Sequence, residues 1–562
     1  MNIRQYITPL CVAILCGLTT ACESYLEEEL VSNVSAATYY PTPAGFEDAV
    51  KATYSFTKPY YGVERGYTLT VFGTDTYTNG ADGSFKGINL YDGQLNPSDN
   101  FIRDTWEDLY RGINQANAVV DRSVNVEGID EELRTSRIAE VRFLRALYYF
   151  DLVRTYGDVH LTLEETAGVE VEANRTAASE IYAQAIVPDL EFAIANLPDS
   201  QDDYGRATKP AAEFLLAKVL LTRSYTGYAG GDDAARAEEL FTNVIENYGF
   251  RLLDNYADLW DISNERNAEV VFAIQNSKTQ VDEGLDNNGN RGHLYFLMEY
   301  DNQPGLTRDI ENGRPWKRFR PTPYTFQLWD RSIDTRYDGS FKSVWFANNA
   351  GSVPKYTAEE AAAGYGTEGA NKFGVGDTAF YIPGPQLEEA WTQERQAATR
   401  YQVLTSDEFT ERLFPTLSKW LDPTRPNRQH TQGQRDYVLM RLGDAYLLRA
   451  EARLRQGDQE GAAEDINVIR VRAAVDGQEE AIQITAADVN LDFLLDERAR
   501  ELVGEGHRWF DLTRTMTLVE RVRKYNEQAA PNIQDYHTVR PIPQTQIDRT
   551  LGGYPQNPGY TS

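Results

Sequence analysis

Residues 139–150 read Ala-Glu-Val-Arg-Phe-Leu-Arg-Ala-Leu-Tyr-Tyr-Phe, and this stretch decides the fold class. From residue 140 to residue 156 the apolar positions recur three and four residues apart: Val141, Leu144, Tyr148 and Leu152. Such spacing places the apolar side chains on one face of an α-helix. Gly157 follows, and glycine commonly ends a helix. The stretch therefore predicts a long helix with one buried face.

Helical spacing recurs in several other segments of the chain. The predicted helices cover residues 178–197, 210–225, 234–247, 437–456 and 460–472. Small residues stand where two helices of a pair would touch: Ala450, Gly457, Ala462 and Ala463. The pairs are similar to tetratricopeptide helix pairs, although no strict period of about 34 residues holds. The sequence thus predicts a mainly α fold, with a tetratricopeptide-like helix-pair scaffold drawn from distant parts of the chain and a loop-rich, aromatic-rich remainder.

Two stretches lack helical periodicity and are rich in polar and aromatic residues, namely residues 67–100 and residues 284–431. Long irregular segments in a compact protein are usually functional. The chain has 34 Tyr and 8 Trp, more than a core needs, and exposed rings offer rigid binding area at low entropy cost. The predicted ligand-binding residues in the two stretches are Asp75, Tyr77, Asp82, Phe85, Tyr91, Tyr300, Trp316, Arg320 and Trp345.

Some of these rings could instead belong to the core. Trp345 lies between Val344 and Phe346 and fits a core position best. Trp316 is flanked by polar residues on its C-terminal side and fits an exposed position best. The sequence leaves both readings open for the other rings.

The N-terminus has the features of a lipoprotein signal. Arg4 precedes an apolar run that is too short to span a bilayer, and small residues then lead to Cys22. The other two cysteines, Cys11 and Cys16, lie within the removed segment, so the mature chain would keep only Cys22. We predict a signal peptide over residues 1–21, a lipid on Cys22 and an acidic tether over residues 22–45. The alternative is ordinary secretion with cleavage near residue 21.

Composition excludes several classes of protein. The formal net charge of −30 at pH 7 opposes binding to nucleic acid and to anionic membrane surfaces. A hydrophobic content of 41% and an aromatic content of 12% exclude a disordered chain. No stretch after the signal is apolar enough to cross a membrane. We therefore expect a folded domain that is tethered to the membrane at one end.

No catalytic or metal-binding motif stands out. The five histidines are scattered: His160, His293, His430, His507 and His537. Residues 374–377 lack the third glycine of a phosphate-binding loop, and residues 286–290 lack the full spacing of a calcium loop. The sequence therefore predicts no catalytic residue, no metal site and no cofactor. Abundant carboxylates leave a glycosidase pair open as an alternative.

Two charged clusters near the C-terminus permit two interpretations. Glu497 and Glu501 share a helix face, and Arg508 could reach back to one of them; Arg441 and Glu451 form the other cluster. Each could be a catalytic acid with its partner, or a network of paired charges that ties helices together. We predict the structural network.

Segments in order along nearly the whole chain resemble the SusD/RagB family of outer-membrane lipoproteins. After the lipoprotein-like start, the matching segments are residues 46–50, 106–117, 139–158, 269–272, 334–337, 437–451, 466–472, 497–512, 541–543 and 557–560. The ordered set is specific to the family, although no single segment is. One departure is His160, where the family usually has proline.

The resemblance implies a fold, a role and a partner. The implied fold has four tetratricopeptide-like helix pairs, and the domain would cover residues 46–562, with a scaffold from residues 46–280 and 437–530 and a binding region over residues 284–431. The implied role is a surface lipoprotein that binds a nutrient, with a glycan as first choice and a peptide as runner-up, and delivers it to a SusC-like TonB-dependent transporter barrel. A surface glycosidase is the alternative from another class. The family's ligand residues lie in variable loops, so none can be carried over.

Overall fold

The computed structural model describes residues 39–83, 85–166, 168–276 and 289–561. The predicted signal peptide, Cys22 and most of the predicted tether lie outside the described residues, as do residues 286–288 of the calcium-like turn. In the first half of the chain the helices are α1 Pro43–Ser55, α2 Glu64–Thr70, α3 Gly87–Leu90, α4 Asn100–Arg122, α5 Glu131–Tyr156, α6 Ala178–Ile181, α7 Val187–Asn196, α8 Lys209–Arg223 and α9 Asp233–Glu246.

The second half has shorter helices first and longer ones later. Its helices are α10 Gly292–Tyr295, α11 Pro323–Phe326, α12 Arg336–Ser340, α13 Ala358–Ala362, α14 Gln393–Ala398, α15 Leu442–Arg455, α16 Gln459–Arg472, α17 Leu491–Leu502, α18 Arg508–Arg514, α19 Leu518–Tyr525 and α20 Gln544–Arg549. The longer helices carry the scaffold, and the short ones lie in the loop-rich region.

Local sequence explains where the longest helix begins and ends. The Asp130 side chain accepts hydrogen bonds from the backbone N–H groups of Glu132 and Leu133, which are orphan donors in the first turn of α5. Gly157 ends the helix with φ of +77°, a value that glycine adopts at little cost. The predicted helix is therefore confirmed. It begins nine residues earlier than predicted, because its first turns are polar and carry no apolar stripe.

Successive long helices stack into one array. Helix α4 packs on α5, α5 on α7, α7 on α8, α8 on α9, and α15 on α16. The array continues from α9 directly to α15, although 195 residues separate the end of one from the start of the other. The prediction of a mainly α scaffold drawn from distant parts of the chain is thus confirmed.

The strands are short and form small separate sheets. They are β1 Tyr77–Asn79, β2 Val270–Ile274, β3 Phe319–Pro321, β4 Phe341–Lys342, β5 Val344–Phe346, β6 Thr378–Tyr381, β7 Gln402–Val403, β8 Thr416–Leu417 and β9 Tyr437–Arg441. Strand β1 pairs with β3, β2 with β9 and β4 with β8, all antiparallel, whereas β6 lies between β5 and β7. Each sheet joins chain segments that the sequence keeps far apart.

Two predicted helices differ from the structure. The segment predicted as a helix over residues 437–456 starts as strand β9, because its backbone groups pair with β2 before α15 begins. The helix predicted over residues 178–197 contains one π-helical turn, Tyr182–Ile186, just before Pro188. Because proline has no backbone N–H, Pro188 cannot donate the hydrogen bond to the carbonyl four residues earlier that a regular α-helix requires.

Two of the four apolar clusters among the described residues bear on the candidate binding surface. The main core runs from α2 to the C-terminal segment and includes Phe143, Leu216 and Trp509. A second core lies within the loop-rich region and is built around Trp345 and Phe380. The loop-rich region is therefore a packed unit with its own buried aromatic residues.

The C-terminal charged clusters are buried ion pairs. Glu497 lies within 2.8 Å of Arg336 and 2.7 Å of Arg470, and all three side chains are largely or fully buried. Arg441 pairs with Glu269, Glu501 and Glu505, whereas Glu451 pairs with Arg514.

Two of the predicted pairings are wrong. Arg508 bonds Asp75 rather than Glu497 or Glu501, and Arg441 does not pair with Glu451. The partners are brought close by the tertiary fold, which the spacing along one helix does not reveal.

Candidate ligand-binding surface

The two irregular stretches singled out in the sequence meet at the β1–β3 ladder. Thr78 lies opposite Arg320, and Asn79 lies opposite Phe319. Beyond the ladder, the Gly80 N–H donates to the Arg318 carbonyl at 2.9 Å, and the Asp82 N–H donates to the Lys317 carbonyl at 3.2 Å. The ladder thus brings residues 77–82 beside residues 316–321.

The close approach of the two chains requires glycine on one side. A Cβ atom at Gly80 would lie 2.1 Å from the Lys317 carbonyl oxygen, which no side chain tolerates. On the other side, Lys317 has a φ of +41°, an uncommon value for a residue with a side chain. Strained residues of this kind cluster at ligand-binding sites, so the turn beside Trp316 is a candidate.

Trp316 is half-buried and lies among basic side chains. Its ring centroid is 5.1 Å from the Arg318 guanidinium carbon and 5.7 Å from that of Arg314. Tyr295 packs behind it, with ring centroids 5.9 Å apart. The Arg318 guanidinium is also held by Glu64 at 2.7 Å. A ring fixed in this way presents a rigid apolar surface with hydrogen-bond donors at its edge.

A chain of ion pairs fixes the surface next to Trp316. Lys317 Nζ lies 3.1 Å from Asp82 and 3.3 Å from Glu299, and Glu299 also binds Arg412 at 2.9 Å. The Asp82 side chain is 42% exposed, so its carboxylate can accept hydrogen bonds from a bound hydroxyl group.

Arg320 is the least satisfied cation at this surface. It is half-buried, and it makes no hydrogen bond or ion pair with the described residues. Burial lowers the pKa of Arg320, and the nearby carboxylates of Glu411 and Glu527 oppose that shift. A guanidinium with free N–H groups at the rim of a surface is available to bind ligand oxygens.

Phe85 lies away from this group. Its ring stacks on Phe101 of α4 with centroids 3.3 Å apart, and the residue is half-buried against the main core. Within the described part of the chain, no ring contact joins Phe85 to Trp316. Of the nine predicted residues, three are partly exposed on the two segments that adjoin at the β1–β3 ladder: Asp82, Trp316 and Arg320.

Five of the nine predicted ligand residues are buried, and the structure corrects the prediction at these positions. Each is at most 3% exposed: Asp75, Tyr77, Tyr91, Tyr300 and Trp345. Asp75 is the acceptor for Arg508 and Arg521, Tyr77 and Tyr91 belong to the main core, and Tyr300 and Trp345 belong to the second core. Side chains with so little exposed area offer almost no surface to a ligand at Trp316.

One aromatic cluster escaped the sequence prediction. Tyr381, Trp391 and Tyr401 are half-buried, with ring centroids 5.6 to 6.5 Å apart, and the Arg395 guanidinium lies 4.1 Å from the Trp391 centroid. The sequence does carry a signal, because Trp391 stands in a segment that is otherwise polar, residues 386–400. Tryptophan in such surroundings has few apolar neighbours along the chain and tends to stay partly exposed.

Across residues 39–83, 85–166, 168–276 and 289–561, no cluster of three or more His, Cys, Asp or Glu side chains could hold a metal ion. In the same ranges, no helix has both the length and the apolar composition needed to cross a bilayer.

Similar proteins of known family cover nearly the whole chain. A SusD-like protein of Formosa agariphila is 25% identical over 567 residues, which cover 95% of this chain and 97% of the relative. The starch-binding protein SusD of Bacteroides thetaiotaomicron is 26% identical over 469 residues, or 80% of this chain and 76% of that protein. The structure of a laminarin-binding SusD-like protein has a TM-score of 0.67 at 24% identity, with 92% of this chain and all of that chain covered, and supports the same fold.

Two family models match complementary parts of the sequence. Residues 24–221 match a family described as starch-binding and associating with the outer membrane. Residues 242–560, more than half of the chain, match the SusD family. These matches agree with the order of the family-like segments in the sequence and with the stacked helices. The chain belongs to the SusD family.

Proposed function

We propose that this protein is a non-enzymatic, lipid-anchored protein of the outer membrane that binds a glycan at the cell surface. We further propose that it delivers the glycan to a TonB-dependent transporter of the SusC type. The relatives support the choice of ligand, because one is named as starch-binding and a structural neighbour as laminarin-binding. The description of the family matched by residues 24–221 supports the location.

The observation that carries the proposal is the β1–β3 ladder, along which the partly exposed residues Asp82, Trp316 and Arg320 lie on two adjoining segments of chain. An apolar ring can cover the C–H face of a sugar, while the carboxylate and the guanidinium groups bind its hydroxyl groups. The two segments adjoin although they come from distant stretches of the chain. Asp82 pairs with Lys317, and the next residue, Arg318, lies against the Trp316 ring. Binding would need little rearrangement, because the ion pairs and the β1–β3 ladder hold the groups in place.

A peptide ligand is the runner-up, since arginine and tryptophan also recognise peptides. The test is a screen of the purified protein, without its signal peptide, against a glycan array and against a pool of peptides. We expect saturable binding to one class of glycan and none to the peptides. Binding to peptides alone would contradict the choice of ligand.

The absence of catalysis needs a separate measurement. Each glycan that binds is incubated with the protein, and its reducing ends are measured over time. We expect no new reducing ends, because Asp82 and Glu299 beside Trp316 are engaged with Lys317 and Arg412. Steady production of reducing ends would instead favour the surface glycosidase.

A further inference from the structure

A second concave site lies on the C-terminal side of the structure. It is a cleft of about 420 Å³, within the range of small-molecule sites. Its walls come from the turn after α3, from the segment after α19 and from the last described residues. The lining residues are Tyr91, Asp92, Gly93, Leu95, Asn96, Pro97, Pro531, Asn532, Gln534, Tyr536, His537, Gly559, Tyr560 and Thr561.

Aromatic rings in mutual contact form the back and one side of the cleft. The His537 ring lies 4.9 Å from Tyr91 and 4.1 Å from Tyr536, centroid to centroid. Tyr560 closes the group, 5.0 Å from Tyr536 at nearly a right angle. Tyr536 and Tyr560 are half-buried, so part of each ring remains open to solvent.

The rings are fixed by specific contacts. Gly559 lies flat against Tyr536, because a Cβ atom there would be 2.2 Å from the tyrosine Cγ. The Tyr560 hydroxyl donates to the Val539 carbonyl at 2.8 Å, and the Tyr91 hydroxyl donates to the Gly73 carbonyl at 2.6 Å. A rigid cleft loses little conformational entropy when a ligand binds.

Several polar atoms of the lining have no partner among the described residues. The Asn532 amide donates to the Leu90 carbonyl at 3.0 Å, which leaves its side-chain oxygen free. Gln534 accepts a bond from the backbone N–H of His537, which leaves its side-chain N–H groups free. The Tyr536 hydroxyl makes no hydrogen bond with described residues and is not a buried atom. The cleft thus offers both a donor and acceptors close to the rings.

His537 adds one more donor in a defined tautomer. Its Nδ1 accepts a hydrogen bond from the Gln534 backbone N–H at 2.9 Å. Burial and the nearby Arg540 lower the pKa of His537 to about 4, so the ring is neutral at pH 7. A neutral ring that accepts at Nδ1 carries its proton on Nε2.

The charge of the lining selects among ligand classes. Asp92 is the one lining residue with a formal charge at neutral pH, and no lysine or arginine lines the cleft. The Arg540 guanidinium is buried behind the Tyr91 ring, 5.6 Å from its centroid, and does not line the cleft. An anionic ligand would therefore meet Asp92 with no exposed cation in the lining, and one carboxylate is a weak attraction for a cation. Open rings beside amide and hydroxyl groups instead suit a neutral ligand with an apolar face and many hydroxyls.

We propose that this cleft binds one or two rings of a neutral saccharide, as a site distinct from the Trp316 surface. The segment 526–534 connects the two sites. Gln528 accepts hydrogen bonds from Thr78 and Asn79 of β1, and Asn532 donates to Leu90 next to the cleft. Four residues of chain span at most about 14 Å, so Gln528 at the β1–β3 ladder lies within that distance of Asn532 at the cleft.

The test uses the full mature chain labelled with ¹⁵N in its histidine rings. The five histidines give few signals, and the signal of His537 is identified by its loss in His537→Gln. Maltose, cellobiose, laminaribiose and lactose are titrated separately. We expect at least one of them to shift the His537 signal in a saturable way. Tyr536→Leu should weaken this binding by roughly tenfold, the effect of removing one hot-spot aromatic ring.

Thermal melts show whether each variant is folded. Tyr536→Phe keeps the ring and loses only the hydroxyl, so it should weaken binding less than Tyr536→Leu does. The proposal is overturned if no disaccharide shifts the His537 signal at roughly 50 mM, far above a weak Kd of about 1 mM. It is also overturned if glucuronate binds this cleft more tightly than glucose. The titration is repeated on Trp316→Ala. An unchanged His537 response in this variant would show that the cleft binds independently of the Trp316 surface, so that failure of the proposed function would not decide the outcome for the cleft.

Discussion

The carboxylate of Asp75 accepts two hydrogen bonds from the guanidinium of Arg508, at 2.7 and 2.6 Å. Both side chains are buried, and 433 residues of sequence separate them. Arg521 donates a third bond to the same carboxylate at 2.7 Å. Burial alone would raise the pKa of Asp75, but the two arginines outweigh it and hold that pKa below its usual value. These three side chains therefore connect the irregular stretch after α2 to helices α18 and α19.

Loss of the Asp75 carboxylate should destabilise the protein severely. In Asp75→Asn the buried Arg508 loses its carboxylate partner, whereas Arg521 keeps Asp492 and Asp496. An unpaired buried guanidinium costs about 3–5 kcal/mol in the free energy of unfolding. Urea denaturation followed by circular dichroism measures the change.

The matched control is Asp82→Asn, because the Asp82 carboxylate is 42% exposed and Lys317 keeps its second partner, Glu299. Its loss should cost about 0–1 kcal/mol. Equal effects of the two variants would contradict the structural role of Asp75.

Acid should weaken the protein partly through Glu497. Burial alone would raise its pKa, but Arg336, Arg500 and Arg470 lower the pKa to about 2, compared with 4.5 for an ordinary glutamate. Because the pKa is lower in the folded state than in the unfolded state, ionised Glu497 adds to the free energy of unfolding. This contribution is complete above pH 4.5 and is lost as the pH falls toward 2.

Denaturation curves between pH 7 and pH 2 measure this contribution. Glu497→Gln should be less stable than the parent at pH 7, and the difference should shrink as the pH falls through that window. A difference that is constant with pH would refute the assignment.

The buried tyrosine of the second core should affect stability and leave binding unchanged. The Tyr300 hydroxyl donates to the Gly313 carbonyl at 2.6 Å and accepts from the Asp309 N–H at 3.3 Å. Tyr300→Phe leaves both backbone groups without that partner, at a cost of about 1–3 kcal/mol. Thermal melts and glycan titrations are compared on the same sample. Weaker glycan binding at unchanged stability would instead show that Tyr300 contacts the ligand.

The predicted anchor at Cys22 remains a prediction from sequence. Cys22→Ser removes the thiol that would carry the lipid, so the variant should appear as soluble, folded protein after cell fractionation. The measurement is made in cells that lack the proposed transporter, because contact with a membrane barrel could also retain the protein. A variant that stays in the membrane fraction of such cells would show that another anchor exists.

The helical scaffold could be predicted because each helix carries its own periodic signal. The stripe on α5 and the small residues between α15 and α16 are visible in short windows of sequence. Strand β9 was missed because its partner β2 lies more than 160 residues earlier in the chain. The arginine–carboxylate partners were missed for the same reason: Asp75 and Arg508 are neighbours only in the folded protein.

The binding surface could be predicted in outline only. Composition identified the two irregular stretches, and the β1–β3 ladder does bring them together. Composition did not show that the loop-rich region has a core of its own, which takes up Tyr300 and Trp345. Tyrosine and tryptophan occur both in cores and on sugar-binding surfaces. Only the structure shows which of these rings are buried.

Calorimetric titration of Trp316→Ala with the glycan selected on the array tests the central proposal most directly. The matched control is Trp391→Ala, which removes another half-buried tryptophan that lies beside an arginine. We predict that Trp316→Ala weakens binding by about 1–3 kcal/mol with little change in melting temperature, whereas Trp391→Ala binds as tightly as the parent. If Trp316→Ala binds the glycan with the affinity of the parent, or if Trp391→Ala alone loses binding, the ligand does not bind at the Trp316 surface.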